Sequence, residues 1–345
     1  MLTSHAMNDG QGIARVFSLG FPWATQDPFL FCVHHEDFYP EGNDDMGPKA
    51  SLEGRNLGQD FSIKDGFRMY HGEVIPGFPS HPHRGFETIT IARQGLIDHS
   101  DSLGASARFG RGDVQWMTAG KGIVHAEMFP LLSKTSPNTA ELFQIWLNLP
   151  NADKMVDPHF KIFWSEEIPV VQTEDAAGRV SNVTVVAGSF GAGRAPSPPP
   201  SSWAARADAD VAIFSIKMTP HATLELPAPR NGTVRTLYFF KGSELSVNGR
   251  VFSNHAGIDV TGSQALAAGD DGVELLVLSG RPIGEPVVQA GPFVMTTEAD
   301  IQRAFMDYRR TQFGGWPWKD HGPVHPRQEG RFARHADGKL ERPAT

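Results

Sequence analysis

The sequence predicts an all-β protein of two domains, each a β-sandwich or barrel, with a single α-helix near its C-terminal end. Three observations carry that reading. The chain has 345 residues, too many for one small core and suited to two domains of ordinary size. Short β-like runs recur along most of its length, separated by Gly, Pro, Asn and Asp, the pattern of sandwiches and barrels. Only one stretch, 296–314, carries a good helical period.

The strands expected in chain order are 87–95 (ETITIARQG), 112–120 (GDVQWMTAG) and 141–150 (ELFQIWLNLP), then 182–191, 211–220, 233–242, 244–252 and 272–282. A break at PNADKMVDPH (150–159) divides the chain into an N-terminal domain, 1–155, and a C-terminal domain, 156–345. The order strand, Gly-Asp turn, strand, Gly occurs on both sides, in RGDVQWMTAG and AGDDGVELLVLSG, and hints at a duplicated β unit. The Pro-rich GRAPSPPPSSWA (193–204) reads as a surface loop. In TTEADIQRAFMDYRRTQFG, Thr297 is placed to cap the helix with Asp300 three residues on. Ile301, Phe305 and Tyr308 share one face there, and Gly314 is expected to end the helix. The tail from Gly315 has no periodicity and is expected to wrap over the surface or to be partly disordered.

Composition excludes several functions. A net charge of −8 and the lack of any basic run argue against direct nucleic-acid binding, though not against a protein partner. A single cysteine, Cys32, rules out an intramolecular disulfide and reads as a buried, inert thiol in a reducing compartment. No apolar run reaches a membrane span, and the first 21 residues show no leader pattern, so a cytoplasmic protein is expected.

The chemistry concentrates in two short stretches. In HPHRGFET (81–88), His81 and His83 are two residues apart and share a face if the segment is extended. In GKGIVHAEMFP (120–130), His125 and Glu127 repeat that spacing. Fourteen histidines in 345 residues give roughly 0.6 His-x-His pairs by chance, so neither pair decides anything alone. Their conjunction does: both lie in strand-like context, about forty residues apart, and each follows turn residues. Three imidazoles and a carboxylate suit a transition metal such as Fe(II), Mn(II), Ni(II) or Cu(II) and leave positions open on an octahedral ion. Pro82 suits the start or edge of a strand and is expected to stiffen the segment presenting the two histidines.

The arrangement resembles the cupin superfamily. Its first motif reads here as His81-Pro82-His83, Glu87 and Gly95, with one residue more than usual before the glycine. Its second reads as Gly112, then Thr118 in place of the usual proline, then Gly122 to His125. Within it the chain is similar to the pirin family over most of residues 25–316, through FPSHPHRGFETIT, DSLGASARFGRGDVQWMTAGKGIVHAEMF, FQIWLNLP, EEIPVV and EPVVQAGPFVMTT. That resemblance implies two cupin domains facing each other, with metal in the first only. It makes His81, His83, His125 and Glu127 the ligands of Fe(II), or of Mn, Ni, Cu, Co or Zn. The second half is consistent, since His255 stands alone there.

The resemblance also implies a function: quercetin 2,3-dioxygenase-type ring cleavage of a flavonol-like phenol by O₂, with Glu127 as general base. The alternative it offers is an iron-dependent redox sensor acting through protein partners on transcription or metabolism. A monomer is expected in either case. Glu87 is read as orienting a ligand imidazole, with a salt bridge to Arg84 or Arg93 as the other reading. Phe86, Trp116 and Met117 read as core and pocket wall, and His34, His35 and His71 as ordinary loop residues. His321, His325 and His335 have no ligand-like spacing. Three departures from the family pattern, the extra chain at 34–61, the Pro-rich stretch and the long tail, are where the site entrance or the partner surface is expected to differ.

Overall fold

The computed structural model describes residues 12–344, so much of the stretch read for a leader lies outside the described residues. Two compact units emerge: the first holds His34–Glu166 and the chain from Glu285 onward, the second the chain up to Val33 together with Glu167–Gly284. The expected cut near residue 155 follows sequence order, whereas these units interleave. The reason is strand pairing: Ile13–Ser18 pairs with Ala256–Val260, and Phe332–Arg334 pairs with Ser106–Gly110.

In the first unit one sheet runs in the order His159–Phe163, Val114–Thr118, Phe86–Gln94, Asn138–Asn148, Phe29–Tyr39. The other runs Leu340–Glu341, Phe332–Arg334, Ser106–Gly110, Leu96–Asp101, Ile123–Met128, Gly77–His83. Strand Phe86–Gln94 is buried from Phe86 through Ala92 because it has a neighbour on each side and covered faces, so it reads as a nearly continuous apolar and threonine run. Between the sheets, Phe67, Phe109, Phe129, Leu142 and Phe160 belong to one core.

The second unit repeats the plan. Its sheets run Ile13–Ser18, Ala256–Val260, Val234–Lys241, Val273–Gly280, Ala212–Met218, Val180–Ala187, Val170–Glu174, and Thr223–Leu226, Gln264–Ala268, Leu245–Val247, Arg250–Phe252. Taken strand for strand, the four-stranded sheet matches Gly77–His83, Ile123–Met128, Leu96–Asp101, Ser106–Gly110 of the first unit in order. The duplication hinted at by two short sequence stretches is thus carried by topology. Val183, Ile216, Leu237, Phe239, Leu266 and Leu275 lie in its core. The hairpin Leu245–Val247/Arg250–Phe252 turns on Asn248-Gly249, both at positive φ (51° and 82°), as a two-residue turn of this hand requires.

The one α-helix among the described residues is Glu298–Thr311. Thr297 caps it as expected, its Oγ1 accepting from the Asp300 N–H at 3.1 Å. Ile301 is buried, and Phe305 and Tyr308 pack beside it on Phe293. The helix ends two residues earlier than expected, because Gln312 takes the left-handed conformation (φ 51°) and donates to the Tyr308 carbonyl. No helix among the described residues is long and apolar enough to cross a membrane.

The tail departs most from expectation. Rather than lying featureless on the surface, it adds Phe332–Arg334 and Leu340–Glu341 to the six-stranded sheet. Arg108, wholly buried, fixes it with all five of its N–H donors: two reach Asp98 at 2.7 Å each, and three reach the carbonyls of His325, Pro326 and Glu329 at 2.8–2.9 Å. Asp98 in turn accepts from the His325 N–H at 2.7 Å. The Pro-rich stretch is likewise tied at its end: Trp203 is buried, and its indole N–H donates to the Arg281 carbonyl at 3.0 Å.

Candidate metal centre

Strands Gly77–His83 and Ile123–Met128 pair so that His81 stands opposite His125. A register shift between Phe78 and His81 puts a bulge immediately before the first histidine, a device that re-aims side chains beside sites. Among the described residues Gly77–His83 is the edge of its sheet, and an edge tolerates the donor that Pro82 lacks.

The three imidazoles converge. One nitrogen from each of His81, His83 and His125 lies within 4.8 Å of the others. Ring centroids are 4.8 Å (His81–His83), 4.5 Å (His81–His125) and 4.9 Å (His83–His125) apart. His81 Nδ1 donates to the Pro79 carbonyl at 2.8 Å, which fixes the tautomer and leaves Nε2 as a lone-pair donor. Burial holds His81 down to about 4, against the Pro79 carbonyl, which raises it. Burial first, and neighbouring imidazoles second, push His83 and His125 well below the usual range. All three imidazoles are therefore neutral at neutral pH, with lone pairs free to bind.

Does this set fit a metal? His125 is fully buried with neither ring nitrogen hydrogen-bonded, and His83 Nδ1 is also without a partner. Buried polar atoms are otherwise almost always satisfied. Convergent, neutral and unsatisfied imidazoles are the donor set of a divalent transition metal, so the residues fit the group.

Glu127 lies on the same face, its Oε2 4.0 Å from His125 Nε2. Thr90 Oγ1 is 3.1 Å from Glu127 Oε1 and 2.6 Å from Gln144 Oε1, and its single proton serves one of them at a time. The Gln144 amide approaches Glu127 Oε2 at 3.4 Å. Burial raises the Glu127 carboxyl, with His99 and these two hydrogen bonds opposing. Phe86 and Trp146 stand edge-on to His83 at 5.1 and 5.5 Å and form an aromatic wall.

Glu87 does not do what the sequence suggested. Its carboxylate accepts from Thr118 Oγ1 at 2.7 Å and Trp116 Nε1 at 3.2 Å. The two arginines pair elsewhere, Arg84 with Asp307 and Arg93 with Glu141. Arg84-Gly85 forms a break between His83 and Phe86, so alternation does not carry across. Gly85 sits at φ 87°, and a Cβ there would meet the Val294 carbonyl oxygen at 2.0 Å.

Two site neighbours escaped the sequence reading. His99 and Asp101 stand opposite Glu127 and His125 in the adjoining strand. Both are fully buried, with His99 Nε2 3.2 Å from Asp101 Oδ2 and its ring 5.6 Å from that of His125. The signal was present as the same two-residue spacing in IDHSD. His35 bonds the Tyr70 hydroxyl at 2.8 Å, His71 the Gly58 carbonyl at 2.7 Å and His34 Glu141 at 3.0 Å, so none joins the cluster. From the tail, His321 reaches Ser80 beside His81, Nδ1 to Oγ at 2.7 Å. Cys32 is buried and its thiol pushed up by that burial, as an inert thiol would be.

Known proteins resemble this chain in sequence and in fold. The Pirin family profile matches residues 25–147 and the Pirin C-terminal cupin domain profile residues 213–314. A Pseudomonas aeruginosa protein provisionally named a quercetin 2,3-dioxygenase is 37% identical over 69% of this chain and 79% of its own. Pirin from Homo sapiens is 31% identical over 72% of this chain and 81% of its own. Among solved structures, a quercetin 2,3-dioxygenase from Acinetobacter baumannii superposes with a TM-score of 0.65 at 28% identity, covering 88% of this chain and 93% of that one.

Proposed function

The chain belongs to the pirin family, with two cupin domains, and from that premise we propose that its first unit is a metal-dependent dioxygenase site that opens the ring of a flavonol-like phenol. The observation that carries the proposal is the set of three convergent imidazoles, two of them (His83 and His125) buried with unsatisfied nitrogens, beside a carboxyl raised by burial. The names of the P. aeruginosa and A. baumannii relatives support the substrate class.

In this reading His81, His83 and His125 hold the metal, Fe(II) first among the candidates, and Glu127 completes the set. The bound metal supplies Lewis acidity towards a phenolic oxygen and a place for O₂. The remaining work falls to the protein. Glu127 takes the phenolic proton, a role its raised carboxyl suits and one worth about 10²–10⁴-fold in rate. Thr90 and Gln144 hold the carboxylate in position. Trp146, half-buried and packed on the wholly buried Phe86 with ring centroids 4.3 Å apart, offers an apolar face to an aromatic substrate.

The test is oxygen uptake by anaerobically purified, Fe(II)-loaded protein given quercetin, with His81→Ala as control. Uptake that requires quercetin and is lost in the variant is the expected result. Protein carrying one equivalent of iron that consumes no oxygen with quercetin or related phenols would overturn the proposal.

A further inference from the structure

The second unit lacks histidine at the place where the first concentrates it. Leu226 pairs with Gln264 and Leu224 with Leu266, matching His83–Ile123 and His81–His125 in the corresponding strands. Yet the unit is not closed at that end. A cavity of about 400 Å³, within the range of small-molecule sites, lies past the Leu226–Gln264 pair. Phe190, Phe214 and Leu226 give it an apolar side, and Arg206, Arg230 and Arg235 a cationic one.

Arg235 is the informative residue. It is 94% buried, with 6% of its surface exposed, and no carboxylate ion-pairs with it among the described residues. Its Nη1 donates to the Pro227 carbonyl and to Gln264 Oε1, both at 2.7 Å, while Nε has no partner. A buried guanidinium cannot deprotonate, and the one carboxylate whose charge acts on Arg235, Asp210, lies beyond ion-pair distance, so the buried charge is incompletely compensated. Arg230 Nε lies 3.4 Å from Asp210 Oδ1, and Arg206 stands over the Trp203 ring at 5.2 Å. Arg230 and Arg235 therefore share one lining carboxylate, Asp210.

We propose that this cavity binds a small organic carboxylate with an apolar body, the carboxylate on Arg235 and the body against Phe214 and Leu226. Nη1 of Arg235 is already engaged and Nε is enclosed, so Nη2 is the donor left for a carboxylate oxygen, and Asp210 disfavours the second negative charge of a phosphate. The site is independent of the metal centre and of whatever reaction occurs there.

The experiment is calorimetric titration of metal-stripped full-length protein with 3-phenylpropanoate, its neutral amide and inorganic phosphate. Saturable binding of the carboxylate is expected, at least about tenfold tighter than the amide or phosphate. Arg235→Met and the exposed-residue variant Arg230→Gln should each weaken it severalfold, and His125→Ala should leave it unchanged. Because Arg235→Met removes its bonds to the Pro227 carbonyl and the Gln264 side chain, Ala212→Phe, which fills the cavity without replacing an arginine, serves as the second blocking variant. Equal affinity for the amide, tighter binding of phosphate, no binding of the carboxylate, or binding unaffected by Arg230→Gln and Ala212→Phe would each overturn the proposal.

Discussion

Replacing Arg108 by methionine should unfasten the tail and destabilise the first unit together. Arg108 is wholly buried and its five donors are all engaged, two on Asp98 and three on tail carbonyls. Methionine fills similar volume but leaves Asp98, also wholly buried, with the His325 N–H as its remaining hydrogen bond. Breaking one partner of a buried ion pair costs about 3–5 kcal/mol. The three carbonyls add less, because a released tail regains water, so a loss of about 4 kcal/mol is expected. Urea unfolding reads it as a lower midpoint, and limited proteolysis reads the tail as newly cleavable between Gly315 and Arg331. The double variant Arg108→Met/Asp98→Leu should recover part of the loss, since no charge is left buried. A single variant that loses less than about 1 kcal/mol, or keeps its tail protected, would refute the role assigned to this arginine.

Glu141 gives a pH-dependent test. Its carboxyl lies at about 2, below the 4.5 of the free side chain, held down by His34, Arg93 and Gln94 against burial. A depressed carboxyl contributes stability that is fully present above about pH 4.5 and is lost as pH falls towards 2. The shift corresponds to about 3–4 kcal/mol at most, and the partial exposure of Arg93 lowers this to about 2–3 kcal/mol. Glu141→Gln should therefore flatten the acid limb of the stability curve between those values; an unchanged limb would exclude the assignment. At the metal centre, Fe(II) or Mn(II) at a hundredfold excess over its Kd should stabilise the protein by about 2.7 kcal/mol, a rise of several degrees in Tm. His125→Ala should abolish both that rise and the bound equivalent measured by elemental analysis, and a persistent shift would place the metal elsewhere.

What could be read from sequence followed the period of two. His81, His83, His125 and Glu127 stand on neighbouring strands with one pair per strand, so short-range spacing was enough to group them. The same rule failed for Glu87, because counting alternation from His83 crosses the Arg84-Gly85 break and assigns it to the wrong face. His99 and Asp101 obeyed the rule but lay in a strand the reading did not mark. Thr90 and Gln144 join the site only through strand pairing, Thr90 opposite Gln144, which no local pattern encodes. The strands of the tail were not legible for a similar reason. Its order comes from a guanidinium more than two hundred residues upstream, not from any periodicity of its own.

The exchange of chain ends between the units has a consequence for biosynthesis. The unit carrying the histidine cluster is translated first, yet the sheet that presents His81 and His125 gains its strand beside Ser106–Gly110 only when Phe332–Arg334 arrives. Adding the chain between Glu166 and Arg334 takes a ribosome roughly 10–30 s at ~5–20 residues per second. During that interval Ser106–Gly110 is an open sheet edge, and the Arg108–Asp98 pair lacks the segment that covers it. A nascent chain stalled before residue 325 should therefore be the species that chaperones hold and that misassembles, while the finished chain is protected.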